Sequence, residues 1–463
     1  MDPHVTPPIV ADALASAVAR ARTEPLPAPM RAMLESMFID IAGLCVAARN
    51  MSYVHAAIAS WEAGGESTAI GHLRALDAAG AAFVNGTAAH GEDFDDTFEG
   101  GPVHAGAVIV PALLAAAERH RIAGRDMLFG MAVGAEVMCR GGMVAPKRIH
   151  SAGFHPTAVL GAMGAAAGVA AALRVDEKTF ASAQGIAGSM AGGLIEYLAE
   201  GASTKRMHPG WAAQAGLRAV DLARAGFEGP RTVWEGAHGF LHGFANTAEG
   251  DWVRLTGEFG ERWIASTIAF KPYACGTMIH PYIDCARRLS GEFHLASAAV
   301  AGEVAKIECD TAEGIVHRLW EPLELKRRPP NAYAAKFSVP FCVAYAILHG
   351  AVGLEAFTEE NARDPRIAAL AAKVGYRVDP RNPYPDEFTG HVKITLADGT
   401  ILEKRQGHFR GGAREPLSRA EIVGKFHANC AYGGWDRARA DAWLQLAGSA
   451  FDAGVPDLAP FRG

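Results

Sequence analysis

Apolar positions recur at helical spacing along most of the chain. In residues 10–48, Met30, Met33, Met37, Ile41 and Leu44 follow that rhythm, and Pro25, Pro27 and Pro29 break it, which predicts two helices. Shorter helices are predicted over 51–61 and 75–89, then longer ones over 106–120, 125–139 and 155–173. The last is dense in small residues, from Gly161 to Gly168, so other helices can approach it closely on all sides. Pro156 suits a first helical position and puts His155 at the N-cap. A helix opening at Asp176 and another over 210–225 after Pro209 complete this helical part.

The texture changes near residue 269. Residues 304–309 alternate as a strand does, and 391–396 and 400–403 flank Ala397-Asp398-Gly399, a hairpin signal. Ser338 and Pro340 introduce a helix. Pro416-Leu417-Ser418 with Glu421 reads as a capping box, and helical periodicity returns to the end of the chain. The predicted fold is mainly α. A large all-helical domain is formed by both chain ends, 1–268 with 410–463, and a smaller α/β domain, 269–409, is inserted between them.

Composition narrows the function. A length of 463 residues suits two domains. Net charge is −6 and no basic stripe carries interleaved aromatics, so nucleic acid is not an expected partner. The seven cysteines form no CxxC pair, which fits reduced thiols in a cytoplasmic protein and argues against an iron–sulfur cluster or structural zinc. The opening residues MDPHVTPP lack a basic and then apolar pattern, so no signal peptide is read. The longest apolar run, 159–173, is shorter than the ~20 residues that span a bilayer, so no membrane partner is expected.

Candidate chemistry lies at turns beside helices. The stretch HGEDFDDTFEGGPVHAGAVIV, residues 90–110, places Glu92, Asp93, Asp95, Asp96, Thr97 and His104 ahead of an apolar helix, where acids and histidines are costly unless paired or used. His155 can serve as a cap or can line a carboxylate pocket at a helix N-terminus. Lys205, Arg206 and His208 crowd another helix start, an arrangement an anion would complete. Lys271, Tyr273, Cys275 and His280 form a fourth group. Together these are the ingredients of a polycarboxylate pocket: lysines and arginine to hold carboxylates, and histidines to move protons. The acids of DFDD could instead hold Mg²⁺, but no second acidic cluster completes a shell. HExxH, GxSxG and a glycine-rich nucleotide loop are absent from the sequence.

Five motifs carry a resemblance. HGEDFDDTFEGGPVHAGAVIVPALLA, GFHPTAVLGAMGAAAG, STKRMHPGWAAQAGL, FKPYACGTMIHPYID and AKFSVPF, in this order, resemble the MmgE/PrpD family over nearly the whole chain. Its members include 2-methylcitrate dehydratase, cis-aconitate decarboxylase and iminodisuccinate epimerase. The resemblance implies a helical domain from both chain ends with an inserted α/β domain. It also implies a homodimer and a lyase needing no metal or cofactor. Its motifs match Asp93, Thr97, His104, His155, Lys205, Lys271 and His280; with the residue reading, catalytic roles fall to Asp93, His104, His155, Lys205 and Lys271, and substrate binding to Thr97, Arg206, His208, Tyr273 and His280. Asp95 and Asp96 are left with capping or structural roles.

There are two departures from the family pattern. The spacing from Thr97 to His104 is one residue longer than in the animal decarboxylase. Gly276 stands where that decarboxylase has a catalytic histidine, which argues against cis-aconitate decarboxylation. The expected function is therefore removal of a proton next to a carboxylate of a small di- or tricarboxylate, as a 2-methylcitrate-like dehydratase. An epimerase of an iminodisuccinate-like dicarboxylate and a non-catalytic paralogue are the alternatives.

Overall fold

In the computed structural model, residues 9–62, 64–200, 202–295 and 302–463 are described, so the opening residues Met1–Pro8 lie outside it. The chain forms two compact units. The first comprises residues 1–91, 95–269 and 419–463; the second comprises 92–94 and 270–418. The boundary near 410 moves to 418 because the turn after residue 408 is tied to the start of the second unit: Phe270 N donates to Gly411 O at 3.0 Å, and Gly411 N donates to Glu415 O at 2.7 Å.

The first unit is helical. Its main elements are α1 (Val10–Ala21), α2 (Ala28–Ala48), α3 (Ala78–His90), α4 (Gly106–His120), α5 (Gly124–Val144), α6 (Pro156–Ala172), α7 (Glu177–Met190) and α8 (Thr204–Arg224). The helix expected from Gly210 begins six residues earlier, at Thr204, with Pro209 inside it. Pro209 lies beyond the first turn, so it forgoes the intrahelical bond to the carbonyl of residue 205, and the helix runs through it all the same. Every residue of α6 is buried, as its small-residue composition foretold.

Of the described helices, only α5 is long and apolar enough to cross a membrane by length and composition, and 89% of its apolar window is buried inside the protein. It also carries a buried ion pair. Arg140 Nε lies 2.6 Å from Glu136 Oε1, and the guanidinium donates to the carbonyls of Arg254, Gly257, Glu258 and Arg262. Glu136 accepts from Ile264 N and Ala265 N. This pair therefore ties α5 to the 254–265 loop.

Two helices of the first unit touch backbone to backbone. A Cβ on Gly86 would lie 2.5 Å from Gly210 Cα, and one on Gly210 would lie 2.1 Å from Phe83 O. No side chain fits, so glycine on both faces lets α3 and α8 meet.

The second unit packs helices α9 (His280–Phe293) and α10 (Val339–His349) with a four-stranded sheet. Its strands are β1 (Val304–Thr311), β2 (Val374–Val378), β3 (Gly390–Leu396) and β4 (Ile401–Gln406), in the order β2-β1-β3-β4. β1 runs parallel to β2, with Ile307 opposite Val374, and antiparallel to β3. β3 and β4 form the expected hairpin. Ser338 caps α10, accepting from Phe341 N at 3.0 Å. The chain then returns to the first unit in α11 (Arg419–Tyr432) and α12 (Arg437–Ser449). Lys425 of α11 pairs with Asp40 of α2 at 2.9 Å, with both side chains buried.

The Gly86–Gly210 contact makes a direct prediction. Gly210→Ala forces a methyl into the Phe83 carbonyl and should destabilise the fold by roughly 1–3 kcal/mol. A urea unfolding series against wild type checks this, and an unchanged midpoint would contradict the close approach.

Candidate active site

In the first unit, four helix ends bring histidines together. His90 is the last residue of α3, and His104 precedes α4. His155 is the N-cap of α6, and His208 lies in the first turns of α8. Ring centroids are 5.0 Å apart for His90 and His104, 5.6 Å for His90 and His155, 6.4 Å for His104 and His155, and 5.3 Å for His155 and His208. Tyr197, in a short helix, lies edge-on to His155 at 6.2 Å and to His208 at 5.8 Å.

Each ring is held by a specific partner. His90 Nδ1 lies 2.6 Å from Asp95 Oδ2, with both side chains wholly buried. His104 Nδ1 lies 2.6 Å from the Asp96 carbonyl, and its backbone N donates to Thr157 Oγ1 at 3.1 Å. Asp96 accepts from Gly106 N at the start of α4. It therefore caps that helix, as a carboxylate should. His155 makes no side-chain cap bond; its Nδ1 lies 3.2 Å from His208 Nδ1. Asp95 departs from the purely structural role expected of it, because it orients a histidine.

The electrostatics keep two of these rings neutral. His155 is held well below the ordinary histidine range, first by burial and then by His90, Lys205, His208 and His104. His208 is lowered to about 4, again chiefly by burial and then by His90 and Lys205. Both rings are thus uncharged near neutral pH and can accept protons.

His90, Asp95 and His104 lie close enough to suggest a metal site. The ring nitrogen of His104 nearest Asp95, however, faces a carbonyl oxygen at 2.6 Å. That contact requires a proton on Nδ1, which removes its lone pair from ligation. The donor set fits a hydrogen-bonded relay better than a metal shell.

Arg206 is turned elsewhere in the same unit. Its Nε donates to Gly91 O at 3.0 Å and its guanidinium lies 4.6 Å over the Tyr53 ring, so it braces the end of α3. Thr97 is buried, and its backbone pairs with Ala269 in both directions at 2.8 Å.

The second unit holds the remaining residues. Asp93 takes a left-handed backbone, φ 54°. Lys271 Nζ donates to its carbonyl at 3.0 Å and the Tyr333 hydroxyl to Oδ2 at 3.3 Å. Lys336 donates to both Glu92 O and Oε2 at 2.7 Å. Tyr273 and His280, expected to bind substrate, are enclosed. The Tyr273 hydroxyl donates to Asp284 Oδ1 at 2.5 Å and accepts from Arg287 Nη1 at 2.7 Å. His280 is 0% exposed, its Nε2 directed at Cys275 O, between the rings of Tyr273 and Phe409. Cys275 is wholly buried as well, which leaves no approach for a substrate to its thiol.

The sequence reading missed His90, Tyr197, Tyr333 and Lys336. His90 left a signal, a histidine at a helix end five residues before an acid, and Lys336 lies in the AKFSVPF motif.

The MmgE/PrpD N-terminal domain matches residues 12–252 and the MmgE/PrpD C-terminal domain matches 273–446. The chain belongs to the MmgE/PrpD family. It is a lyase of that family. It is 32% identical to cis-aconitate decarboxylase of Mus musculus over 363 residues, 75% of this chain and 71% of the relative. It is 28% identical to cis-aconitate decarboxylase of Aspergillus terreus over 433 residues, 87% and 86% of the two chains. Over 97 residues, 19% of each chain, it is 34% identical to the mitochondrial 2-methylcitrate dehydratase of Yarrowia lipolytica.

The lowered His208 predicts a pH dependence of stability. Its folded value, about 4, lies below the 6.5 of a free histidine. Between these values the unfolded chain binds more protons, so stability rises with pH over this window and is lost as pH falls through it. The contribution is at most about 3 kcal/mol at the rate of ~1.36 kcal/mol per pH unit. Unfolding midpoints measured from pH 4 to 6.5 should fall more gently with acid in His208→Gln than in wild type, and parallel curves would rule this out.

Proposed function

We propose that this lyase removes a proton from the carbon next to a carboxylate of a small di- or tricarboxylate, and that it expels hydroxide from the neighbouring carbon of a 2-methylcitrate-like hydroxy acid. The observation that carries this reading is the histidine cluster, with His155 and His208 neutral beside Lys205 and His90 held by a buried carboxylate. A carboxylate of the substrate pairs with Lys205. Its negative charge offsets the cations that depress His155 and so raises the basicity of that ring. His155 takes the proton, and the carbanion is stabilised by the nearby positive charge. The proton taken by His155 passes to the departing hydroxide, which leaves as water, and His104, Thr97 and His208 contact the substrate. His90, locked in one tautomer by Asp95, positions the other rings. Within the second unit, Lys271 holds the turn of Asp93.

A second reading is decarboxylation of an unsaturated tricarboxylate, supported by the printed activity of the relatives from Mus musculus and Aspergillus terreus. Incubation with 2-methylcitrate and, separately, with cis-aconitate distinguishes the two. New ultraviolet absorbance from 2-methylcitrate marks dehydration, and CO₂ release from cis-aconitate marks decarboxylation. Deuterium uptake from heavy water without net product, in an amino-dicarboxylate, would mark epimerisation and overturn the lyase chemistry proposed.

Two substitutions test the roles. His155→Ala should lower kcat by roughly 10²–10⁴-fold, the usual worth of a general base, with circular dichroism unchanged. Near-normal turnover would remove His155 from the reaction. Asp95→Asn should lower kcat by a similar order with KM little affected and should shift the acid limb of the pH–rate profile, because it releases the tautomer of His90. An unshifted profile would reduce Asp95 to a packing role.

A further inference from the structure

The second unit contains a cavity of about 920 Å³ beside α9, a size typical of small-molecule sites. Asp284, Arg287 and Arg288 of α9 form one wall, and Gln406, Arg410 and Glu415 belong to the facing wall. The charges on the two walls are answered differently. Glu415 is met by its neighbours: Gln406 Nε2 at 3.0 Å, His408 at 2.8 Å and Arg410 at 3.8 Å. Asp284 is only half met. The residue is 4% exposed; its Oδ1 takes the Tyr273 hydroxyl, and its Oδ2 is buried with no hydrogen-bond partner among the described residues. A buried carboxylate oxygen without a donor is costly.

The arginines on the same wall have donors to spare. Arg287 is fixed by Gly350 O at 2.6 Å and the Tyr273 hydroxyl at 2.7 Å, which engage Nε and Nη1 and leave Nη2. Arg288 donates from Nη2 to Gln406 Oε1, leaving its other nitrogens. The wall thus offers two guanidinium edges and one acceptor in a row along a helix.

We propose that this cavity binds a small carboxylate bearing a hydroxyl or ammonium group next to its carboxyl. The guanidinium groups of Arg287 and Arg288 hold the carboxylate, the geometry for which arginine is suited. Asp284 Oδ2 accepts the hydrogen bond from the neighbouring donor. The ligand also fixes Tyr273, because Asp284 and Arg287 both grip its hydroxyl. Tyr273 follows Lys271 by two residues and packs its ring 5.2 Å from His280. Filling the cavity therefore stiffens the segment that carries Lys271. This site is independent of the reaction proposed above and stands or falls without it.

Hydrogen–deuterium exchange on the full-length protein tests it, with L-malate, L-aspartate and succinate as probes. Malate or aspartate should slow exchange in peptides covering 284–294 and 404–415. Succinate, which lacks the donor, should act roughly tenfold more weakly, the worth of one lost hydrogen bond to a charged group. Whichever of malate and aspartate protects identifies the donor as hydroxyl or ammonium. Arg288→Ala, at an exposed position, should abolish the protection. Asp284→Asn, which keeps the shape, should erase the preference over succinate. No protection with malate and aspartate, equal protection by succinate in wild type, or protection and preference that survive both substitutions would overturn the proposal.

Discussion

The burial of Asp95 is the constraint on which the first unit's site depends. A carboxylate with no exposure to water costs several kcal/mol unless it is paired and hydrogen-bonded. The pairing here is with His90, at 2.6 Å, with His104 Nδ1 at 3.8 Å. That short contact assigns the His90 proton to Nδ1 and leaves Nε2, itself buried and without a hydrogen-bond partner among the described residues, as the open face of the ring. It also decides where α3 ends and how the chain turns. Asp96, one residue on, is spent on α4 and on the ring of His104. Two adjacent acids thus fix two histidines and one helix start.

Such a cluster can form only where helices come very close. Rings 5.0–6.4 Å apart sit at the ends of α3, α4, α6 and α8, and each of these helices has glycine or alanine at its contacts. Gly86 and Gly210 show the limit of this logic, since neither position admits a Cβ. The same crowding sets the protonation state. Four imidazolium ions at these distances beside Lys205 would repel one another strongly, and burial with mutual repulsion keeps His155 and His208 neutral. Helix packing and acid–base chemistry are one arrangement seen at two scales.

Much of the fold was legible in the sequence. Helical periodicity placed α2, α4 and α6 nearly to the residue, and Ala397-Asp398-Gly399 placed the β3–β4 hairpin. β2 escaped notice because Val374–Val378 is short and half-exposed, with little alternation. The start of α8 was misplaced because Pro209 was read as a boundary, whereas the helix runs through it. The site was legible by residue type and not by partner. The histidines and lysines could be named, but a hydrogen bond between His90 and Asp95 depends on the path of the turn between them. Tyr273 and His280 looked like pocket residues by composition. Only their neighbours, Asp284, Arg287 and Phe409, reveal that they face the interior.

Gly276 bears on the choice between the two proposed reactions. Its φ of −57° is open to any residue, and a Cβ there would meet Phe337 at 3.4 Å, an ordinary contact. Neither backbone strain nor crowding demands glycine, so the missing side chain is a chemical difference and not a folding requirement. A decarboxylase must return a proton to the carbon that lost CO₂, so it needs an acid aimed at carbon. A dehydratase can return the abstracted proton to the departing oxygen, so it needs no acid aimed at carbon. The lack of a proton donor at position 276 therefore handicaps decarboxylation more than dehydration, and this difference weighs toward a hydro-lyase against the activity printed for the relatives.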